Sequence, residues 1–300
     1  MNTELNKVGV IGLGIMGGAM AKNLISAGFD VVGFDPDKEA QKSFAEAGGS
    51  LLSGPGDVAR EADIVITSLP SVGAFQAVME DIAVEGTPGT IIVECGTLPI
   101  EEKQAAKEQL DKAGVIILDC PLSGTGAQAA VKDMVILASG DKEAIDKCQP
   151  IFDAIGRGTH NVGEFGAGMK MKFVANHLVT INNLATAEAL VLARMAGLDA
   201  QQTFDVIADS AATSRMWEIR GPMMVDRTYE PATMKMDIYV KDLQLICDFA
   251  RKLNCPVPLF TASEPVYSAA RAQGRNKEDT AAVNAVLESM AGILPDTSDK

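Results

Sequence analysis

A lysine and an asparagine four residues apart, Lys172 and Asn176, lie in a mostly apolar stretch of the chain. From Met169 to Gly197 apolar residues recur at helical spacing, which predicts one helix of nearly thirty residues. Residues four apart share a helix face, so the ammonium and the amide would point the same way. Because a buried ammonium is costly without a partner, a lysine and an amide on one side of a mostly apolar helix need an explanation. The alternative is that Lys172 extends to solvent, as we expect for Lys170.

A glycine-rich turn near the amino terminus is the second candidate. An apolar run of strand type, residues 8–11, breaks into Gly-x-Gly-x-x-Gly, and a helical pattern follows at once. In this spacing the first glycine permits a tight turn, the second leaves room for a pyrophosphate, and the third lets the helix lie close to the strand. The helix amino terminus then directs N–H groups at the phosphates. The residues of this turn are Gly12, Leu13, Gly14, Ile15, Met16 and Gly17.

An acidic residue, Asp35, follows the second apolar run at the spacing that a dinucleotide site requires. Its carboxylate could accept hydrogen bonds from the adenosine ribose, and it would repel a 2′-phosphate. No arginine follows it, and Lys38 is the only nearby cation. The turn and the acid together predict NAD as the cofactor and disfavour NADP. The alternative is that Asp35 only caps a helix that starts near Pro36.

The elements that would position these residues follow from the pattern along the chain. Strands and helices alternate through the first half, which predicts an α/β fold with a doubly wound parallel sheet of Rossmann type. Glycines between positions 163 and 168 predict a domain boundary, and strand signals vanish beyond it. We therefore expect an NAD-binding domain at 1–163 and an all-helical domain for substrate binding and dimerisation at 164–300, opening with the long helix. Further strands are predicted at 62–69, 90–94, 115–119, 134–138 and 159–162.

The composition narrows the classes of function. The chain has 300 residues, which is enough for one large or two ordinary domains. Of these residues 47% are hydrophobic, so the chain can bury a sizeable core. The net charge of -14 argues against nucleic acid and anionic membrane as partners, because binding phosphates needs clustered lysine and arginine. Five scattered cysteines and two histidines argue against a metal site and are typical of a reducing compartment. No signal peptide or membrane span is expected, so we place the protein in the cytoplasm.

Four landmarks occur in order over nearly the whole chain. They are Gly12-x-Gly14-x-Met16-Gly17 with Asn23-Leu24, Asp119-Cys120-Pro121-Leu122-Ser123-Gly124, Gly168-x-x-x-Lys172-x-x-x-Asn176 and Lys241-Asp242-Leu243. Four landmarks in the right order are far more specific than any one of them. Through them the chain resembles the β-hydroxyacid dehydrogenase family, the group of 3-hydroxyisobutyrate, tartronate semialdehyde and L-threonate enzymes.

The resemblance implies an NAD-dependent oxidoreductase that interconverts a small anionic 3-hydroxy acid and its oxo acid or semialdehyde by hydride transfer. The acid would be of the 3-hydroxyisobutyrate or L-threonate type. It implies that Lys172 is the catalytic general acid/base and that Asn176 orients the substrate. A lysine pKa near 10.4 is too high for a base at neutral pH. Burial, the positive helix end and the positive nicotinamide would each lower the pKa of Lys172.

The resemblance also implies the residues that bind the two reactants. Ser123 and Gly124 would form part of the carboxylate site, and Thr125, which stands where the family usually repeats glycine, would reach into it. A second departure, Lys132-Asp133-Met134 in place of Gly-Thr-Leu, bears on the same question of substrate. A homodimer or homotetramer is implied as well. The residues that would surround the nicotinamide half of the cofactor are Leu69, Pro70, Thr97 and, closing over it, Lys241.

Two other classes of function stay open at this point. One is an imine or aldehyde reductase of the same fold, and the other is a catalytically inactive NAD-binding interaction protein. Imine reductases usually lack the catalytic lysine, and inactive relatives lose it and gain basic extensions. Lys172 and the acidic charge of this chain count against both.

Overall fold

The computed structural model describes residues 7–293, which divide between Lys172 and Phe173 into two compact units. The first unit is built on β-sheets with helices, and the second is formed by helices. The predicted class, a Rossmann-type doubly wound sheet followed by a helical domain, is confirmed. The predicted boundary between residues 163 and 164 stays a prediction.

Six parallel strands form the main sheet of the first unit, in the order β3-β2-β1-β4-β5-β6. This is the doubly wound order, with its reversal between β1 and β4. In register, Ile11 at the end of β1 lies beside Thr67 at the end of β4, and Glu94 lies beside Asp119 at the ends of β5 and β6. The carboxyl ends of four strands therefore share one edge. The strands are β1 (Lys7–Ile11), β2 (Asp30–Phe34), β3 (Ser50–Leu51), β4 (Ile64–Thr67), β5 (Ile91–Glu94) and β6 (Ile116–Asp119).

Helices cover both faces of this sheet, so its strands are apolar on both sides, as parallel strands usually are. Along β1, for example, Val8 and Val10 pack with Leu24 on one face, and Ile11 packs with Val58 on the other. The helices are α1 (Ile15–Ser26), α2 (Lys38–Glu46), α3 (Pro55–Glu61), α4 (Val72–Glu85), α5 (Ile100–Lys112), α6 (Gly126–Ala130) and α7 (Lys142–Ile155).

A second, three-stranded sheet completes the first unit. It consists of β7 (Leu122–Ser123), β8 (Val135–Ala138) and β9 (Gly158–Asn161), with β7 antiparallel to β8 and β8 parallel to β9. The strands predicted at 134–138 and 159–162 are confirmed. Their partner β7 was not predicted, because a strand of two residues has no periodicity to read.

The predicted long helix is confirmed as α8 (Ala167–Met195), which has 29 residues. The next two helices start where side chains cap them, with Asp199 accepting from the Gln202 N–H and Ser214 from the Trp217 N–H. No helix within 7–293 is both long and apolar enough to cross a membrane. These later elements are α9 (Ala200–Ala208), α10 (Arg215–Val225), α11 (Met236–Lys252), α12 (Pro258–Ala272), a 3₁₀ turn (Thr280–Ala282) and α13 (Val283–Met290).

Candidate active site

The glycine turn between β1 and α1 has the geometry that a dinucleotide needs. Gly12 has a φ of +88°, and a β-carbon there would collide with the carbonyl oxygen of Ser68. A β-carbon on Gly17 would collide with the carbonyl oxygen of Gly12. Gly14 differs, because a β-carbon there would meet no atom of the described chain within 4 Å. The turn is thus tight where strand and helix meet and open where a pyrophosphate would approach, so these residues fit a dinucleotide.

Asp35 follows β2 and is bonded to this turn. One carboxylate oxygen accepts from the Leu13 N–H at 2.6 Å, and the other accepts from the Asp37 N–H at 2.8 Å. The cap of α2 is Asp37, whose side chain accepts from the N–H groups of Glu39 and Ala40. The alternative that Asp35 caps this helix is therefore wrong. Its charge stays beside the glycine turn, at the strand end where the ribose of a dinucleotide is read.

Leu69, Pro70 and Thr97 leave neighbouring strands at the same edge of the sheet. The first two follow β4, Thr97 follows β5, and these strands pair directly. Ile15, at the start of α1, exposes 70% of its surface, so an apolar face is open beside the glycine turn. These positions are the ones that the predicted cofactor site requires, and the assignment of each residue to the nicotinamide stays a prediction.

Lys172 lies in the second turn of α8 with only 9% of its surface exposed. Its ammonium donates to the carbonyl oxygen of Leu122 at 2.6 Å. That carbonyl directly precedes Ser123, so the lysine lies beside the strand end that was predicted to bind the carboxylate. The alternative that Lys172 extends to solvent is wrong, whereas Lys170 is exposed as expected.

The half-buried segment Ser123–Gly124 leads into a small helix that begins with a capping box. The N–H of Thr125 donates to the Gln128 side-chain oxygen at 3.0 Å, and the Thr125 hydroxyl donates to the same oxygen at 3.3 Å. The Gln128 side-chain nitrogen then donates to Asp133 at 3.0 Å. The two departures from the family pattern are thus joined through Gln128, and the hydroxyl of Thr125 is engaged in capping.

Asn176 lies one helical turn after Lys172 and is 7% exposed. Its side-chain nitrogen donates to the Asp242 carboxylate at 3.0 Å. Its own carbonyl oxygen accepts from the Thr180 hydroxyl at 2.8 Å and from the Tyr239 hydroxyl at 3.2 Å. Asp242 was not predicted as a site residue. The sequence pointed to this residue, because Asp242 stands inside the last of the four landmarks; the structure adds that it is buried beside the exposed Lys241.

A group of three fully buried charges, Glu94, Lys103 and Asp119, was also missed. The Lys103 ammonium lies 2.7 Å from Asp119 and makes a still shorter contact with Glu94. Burial raises the pKa of the Glu94 carboxyl more than Lys103 lowers it. Burial by itself would lower the pKa of Lys103, but the two carboxylates hold it above its usual value. The sequence signal for this group was a lysine at the same helical spacing as Ala106 and Leu110, which face the core from α5.

Within residues 7–293 no cluster of histidine, cysteine, aspartate or glutamate could hold a metal ion.

Comparison with known proteins identifies the class. A family model described as the NAD binding domain of 6-phosphogluconate dehydrogenase matches residues 7–202. A second, described as NAD-binding of NADP-dependent 3-hydroxyisobutyrate dehydrogenase, matches residues 166–287. With the glycine turn and the doubly wound sheet, these matches define an NAD(P)-dependent oxidoreductase.

Relatives that match nearly the whole chain identify its family. It is 34% identical to the L-threonate dehydrogenase of Cupriavidus necator, over 92% of this chain and 94% of the relative. It is 31% identical to the 2-(hydroxymethyl)glutarate dehydrogenase of Eubacterium barkeri, over 96% of each. A structure of the 3-hydroxyisobutyrate dehydrogenase of Mycobacterium tuberculosis with L-serine superposes with a TM-score of 0.87 at 27% identity, covering 94% of this chain and 99% of that one. The chain belongs to the β-hydroxyacid dehydrogenase family and is a hydroxyacid dehydrogenase.

Proposed function

We propose that the protein is an NAD-dependent dehydrogenase of a small 3-hydroxy acid, of the 3-hydroxyisobutyrate or L-threonate type, with Lys172 as general acid/base. The observation that carries this proposal is the burial of Lys172 and its 2.6 Å hydrogen bond to the carbonyl oxygen of Leu122, next to Ser123. The relative named L-threonate dehydrogenase supports the substrate class.

The residues divide the chemistry between them. Oxidation removes a hydride from the carbinol carbon and a proton from its hydroxyl, and bound NAD supplies the hydride acceptor. Lys172, when neutral, takes the hydroxyl proton, and its ammonium returns a proton to the carbonyl oxygen in the reverse direction. The Ser123 hydroxyl and the Gly124 N–H bind the substrate carboxylate, and the Asn176 amide orients the reacting hydroxyl. We expect a lowered pKa for Lys172 with NAD bound, because a second positive charge then lies nearby.

The preference for NAD over NADP rests on Asp35. Its carboxylate is held beside the glycine turn by the Leu13 N–H, so it cannot easily turn away from a 2′-phosphate. A phosphate there would meet a like charge, whereas ribose hydroxyls would meet hydrogen-bond acceptors.

We further propose that the protein forms a homodimer or homotetramer and that it is located in the cytoplasm. Long helix α8 exposes Val174, Leu178, Leu192 and Met195, and apolar residues exposed in such number favour association. The thiols of the first unit, including Cys120 and Cys148, are free and buried, as is typical of proteins in a reducing compartment. Light scattering after size exclusion tests the assembly, and a monomer at micromolar concentration would contradict it.

The deciding experiment is NADH formation on a panel of L-threonate, 3-hydroxyisobutyrate, D-glycerate and L-serine, with NAD and NADP compared. We expect turnover with at least one acid, faster with NAD, and its loss in Lys172→Ala. Lys170→Ala, an exposed neighbour on the same helix, is the matched control and should keep the wild-type rate. If NADH binds but no acid is oxidised, the proposal fails in favour of an aldehyde or imine reductase or of an inactive binding protein.

A further inference from the structure

The buried ion triad, defined as Glu94, Lys103 and Asp119, is placed where it can control Lys172. Its three members come from the end of β5, from α5 and from the end of β6, and each has 0% of its surface exposed. We propose that Lys103 is a positioning residue: through Asp119 it fixes both the amino end of α8 and the Leu122 carbonyl, which together hold Lys172. This inference rests on the proposed acid/base role of Lys172.

Asp119 uses its two carboxylate oxygens for different partners. One oxygen lies 2.7 Å from the Lys103 ammonium. The other accepts from the Met169 N–H at 2.8 Å, in the first turn of α8. A carboxylate that accepts from this turn is favoured by the helix dipole and fixes where the helix begins. Lys172 lies only three residues beyond Met169, so the position of this carboxylate sets the position of the lysine backbone.

Ser139 makes a second connection at the same point. Its hydroxyl accepts from the Gly168 N–H at 2.9 Å and lies 3.0 Å from the Asp119 carbonyl oxygen, to which it donates. A β-carbon on Gly168 would come within 2.6 Å of the carbonyl oxygens of Asp119 and Leu137. The start of α8 therefore lies directly against the end of β6, and a shift of Asp119 cannot leave it in place.

The hydrogen-bond acceptor of Lys172 depends on the same strand end. Asp119 pairs with Ser139 through main-chain bonds of 3.0 and 2.9 Å, and three residues later Leu122 presents the carbonyl that accepts from Lys172. Between them, the Pro121 carbonyl accepts from the Leu137 N–H at 3.0 Å. The helix start and the acceptor are thus both fixed relative to Asp119.

Glu94 extends this control towards the cofactor edge. Its second oxygen accepts from the Gly96 N–H at 2.7 Å, which fixes the turn that leads to Thr97. One ammonium therefore stabilises two carboxylates, of which one orders the loop of Thr97 and the other orders the helix of Lys172. Without Lys103 the two buried carboxylates would face each other with no counter-ion, and removing one partner of a buried pair is strongly disruptive.

The test is Lys103→Met, with Lys107→Met as matched control. Lys107 lies one turn further along α5 and pairs with Asp111 at the surface. We expect Lys103→Met to lower kcat by about 10- to 100-fold, since a misplacement of 1 Å can cost that much. The Kd for NADH should rise by less than the fall in kcat, because the glycine turn is not part of the triad and only the Thr97 loop depends on Glu94. Lys107→Met should keep the wild-type kcat.

A double-variant comparison separates positioning from general damage. In a Lys172→Ala background the residual rate no longer depends on Lys172, so adding Lys103→Met should lower it much less than it lowers the wild-type rate. An equal loss in both backgrounds, or a parallel loss of NADH binding, would overturn the proposal. Glu94→Gln added to Lys103→Met removes one of the two facing charges and should recover part of kcat; no recovery would also count against it.

Ser139→Ala keeps the inference testable if Lys103→Met fails to fold. It leaves the triad intact and removes only the hydroxyl that accepts from the Gly168 N–H. We expect lower kcat, unchanged KM for NAD and faster hydrogen exchange at the Gly168 amide. An unchanged kcat and exchange rate would overturn the inference. If the wild-type protein oxidises no acid, the proposed function fails by itself, and hydrogen exchange at Met169 in Lys103→Met still decides whether the triad fixes the helix.

Discussion

The ammonium nitrogen of Lys172 lies 2.6 Å from the main-chain oxygen of Leu122. A carbonyl oxygen can only accept a hydrogen bond, and a lysine side chain has N–H groups to donate in its charged form and in its neutral form. The bond can therefore hold the nitrogen in place while the residue gains and loses a proton. The proposed acid/base role of Lys172 requires this, because the group that takes the hydroxyl proton must return to the same position after each turnover.

Replacing Lys172 by arginine should abolish the reaction as effectively as alanine does. Arginine keeps the positive charge but cannot lose its proton in a protein. We expect turnover to fall by about 10²- to 10⁴-fold, the usual contribution of general acid/base catalysis. The measurement is kcat/KM against pH. The wild-type enzyme should lose activity below a pKa lower than the usual lysine value, and the residual rate of the variant should lack that limb. An arginine variant with the wild-type profile would rule out proton transfer by Lys172.

Asp35→Asn should shift cofactor selectivity without breaking the turn. Asparagine can still accept from the Leu13 N–H, loses only the exposed bond from the Asp37 N–H, and carries no charge that would repel a 2′-phosphate. We expect the ratio of kcat/KM for NAD to that for NADP to fall about tenfold, which corresponds to about 1.4 kcal/mol. Asp37→Asn removes an exposed charge two residues away and should leave the ratio unchanged. Parallel losses with both cofactors would show that Asp35 acts only in folding.

Asp242→Ala should impair substrate binding through Asn176. Without the carboxylate, the Asn176 amide loses the acceptor that orients its side-chain nitrogen. We expect KM for the hydroxy acid to rise about tenfold, in line with the loss of a hydrogen bond to a charged group, while NADH binding stays intact. Asp248→Ala, on the same helix α11 but paired with Arg251 at the surface, is the control. The measurement is KM for the hydroxy acid in both variants. Equal effects of Asp242→Ala and Asp248→Ala would contradict the proposal that Asp242 positions Asn176.

Asp279 should stabilise the second unit in a pH-dependent way. Burial by itself raises the pKa of its carboxyl, but Arg220, 3.2 Å away, and the N–H groups of Ala281 and Met234 outweigh burial and hold the pKa below its usual value. A lowered pKa in the folded state means stability that is present above the unfolded value and lost as pH falls through the folded one.

Asp279→Asn should therefore cost about 3 kcal/mol of unfolding free energy at pH 7 and pH 5, and less below pH 4. Urea midpoints at these pH values measure the difference. Asp209→Asn, at an exposed helix end, should change none of them. A deficit that stayed constant down to pH 3 would show that the charge of Asp279 is irrelevant.

The five cysteines should differ sharply in reactivity. Cys255 is exposed, whereas burial raises the pKa of Cys148 to about 12 and holds those of Cys95 and Cys120 well above the usual value. A disulfide reagent at pH 8 should modify one thiol quickly in the native protein and all five after unfolding. Cys255→Ser should remove the fast phase. Cys247, half-buried with a raised pKa, should react slowly. Three fast thiols would contradict the packing of the first unit.

The fold was largely predictable because its main elements are long and periodic. Short apolar runs, followed by glycine after β1, by Asp35 after β2 and by Pro70 after β4, marked five strands of the main sheet together with the runs at 90–94 and 115–119. The elements missed are short: β3 and β7 have two residues each, and α3 and α6 have seven and five. Such short segments form because neighbouring strands and helix ends supply their hydrogen-bond partners. Hydrophobic periodicity along the sequence does not reveal these partners.

The candidate site was predictable only where its residues share an element. Lys172 and Asn176 were singled out because four residues make one helical turn, and their roles stay predictions. Glu94, Lys103 and Asp119 were not, because their contact arises from the pairing of two strands and the packing of a helix. Thr125 was assigned to the substrate pocket because it stands where the family pattern repeats glycine.

The capping signal at Thr125 was nevertheless present in the sequence. Threonine followed three residues later by Gln128 is a known helix start. The structure accordingly engages this hydroxyl in the first turn of α6.

The buried ion triad also has a consequence for inheritance. Loss of Lys103 alone leaves two carboxylates in the interior without a counter-ion, whereas loss of one carboxylate leaves a neutral ion pair. Descendants of this chain can therefore lose one carboxylate first, but the remaining lysine–carboxylate pair should change together. Lineages without the triad should accordingly have relatives that keep a single ion pair at these positions.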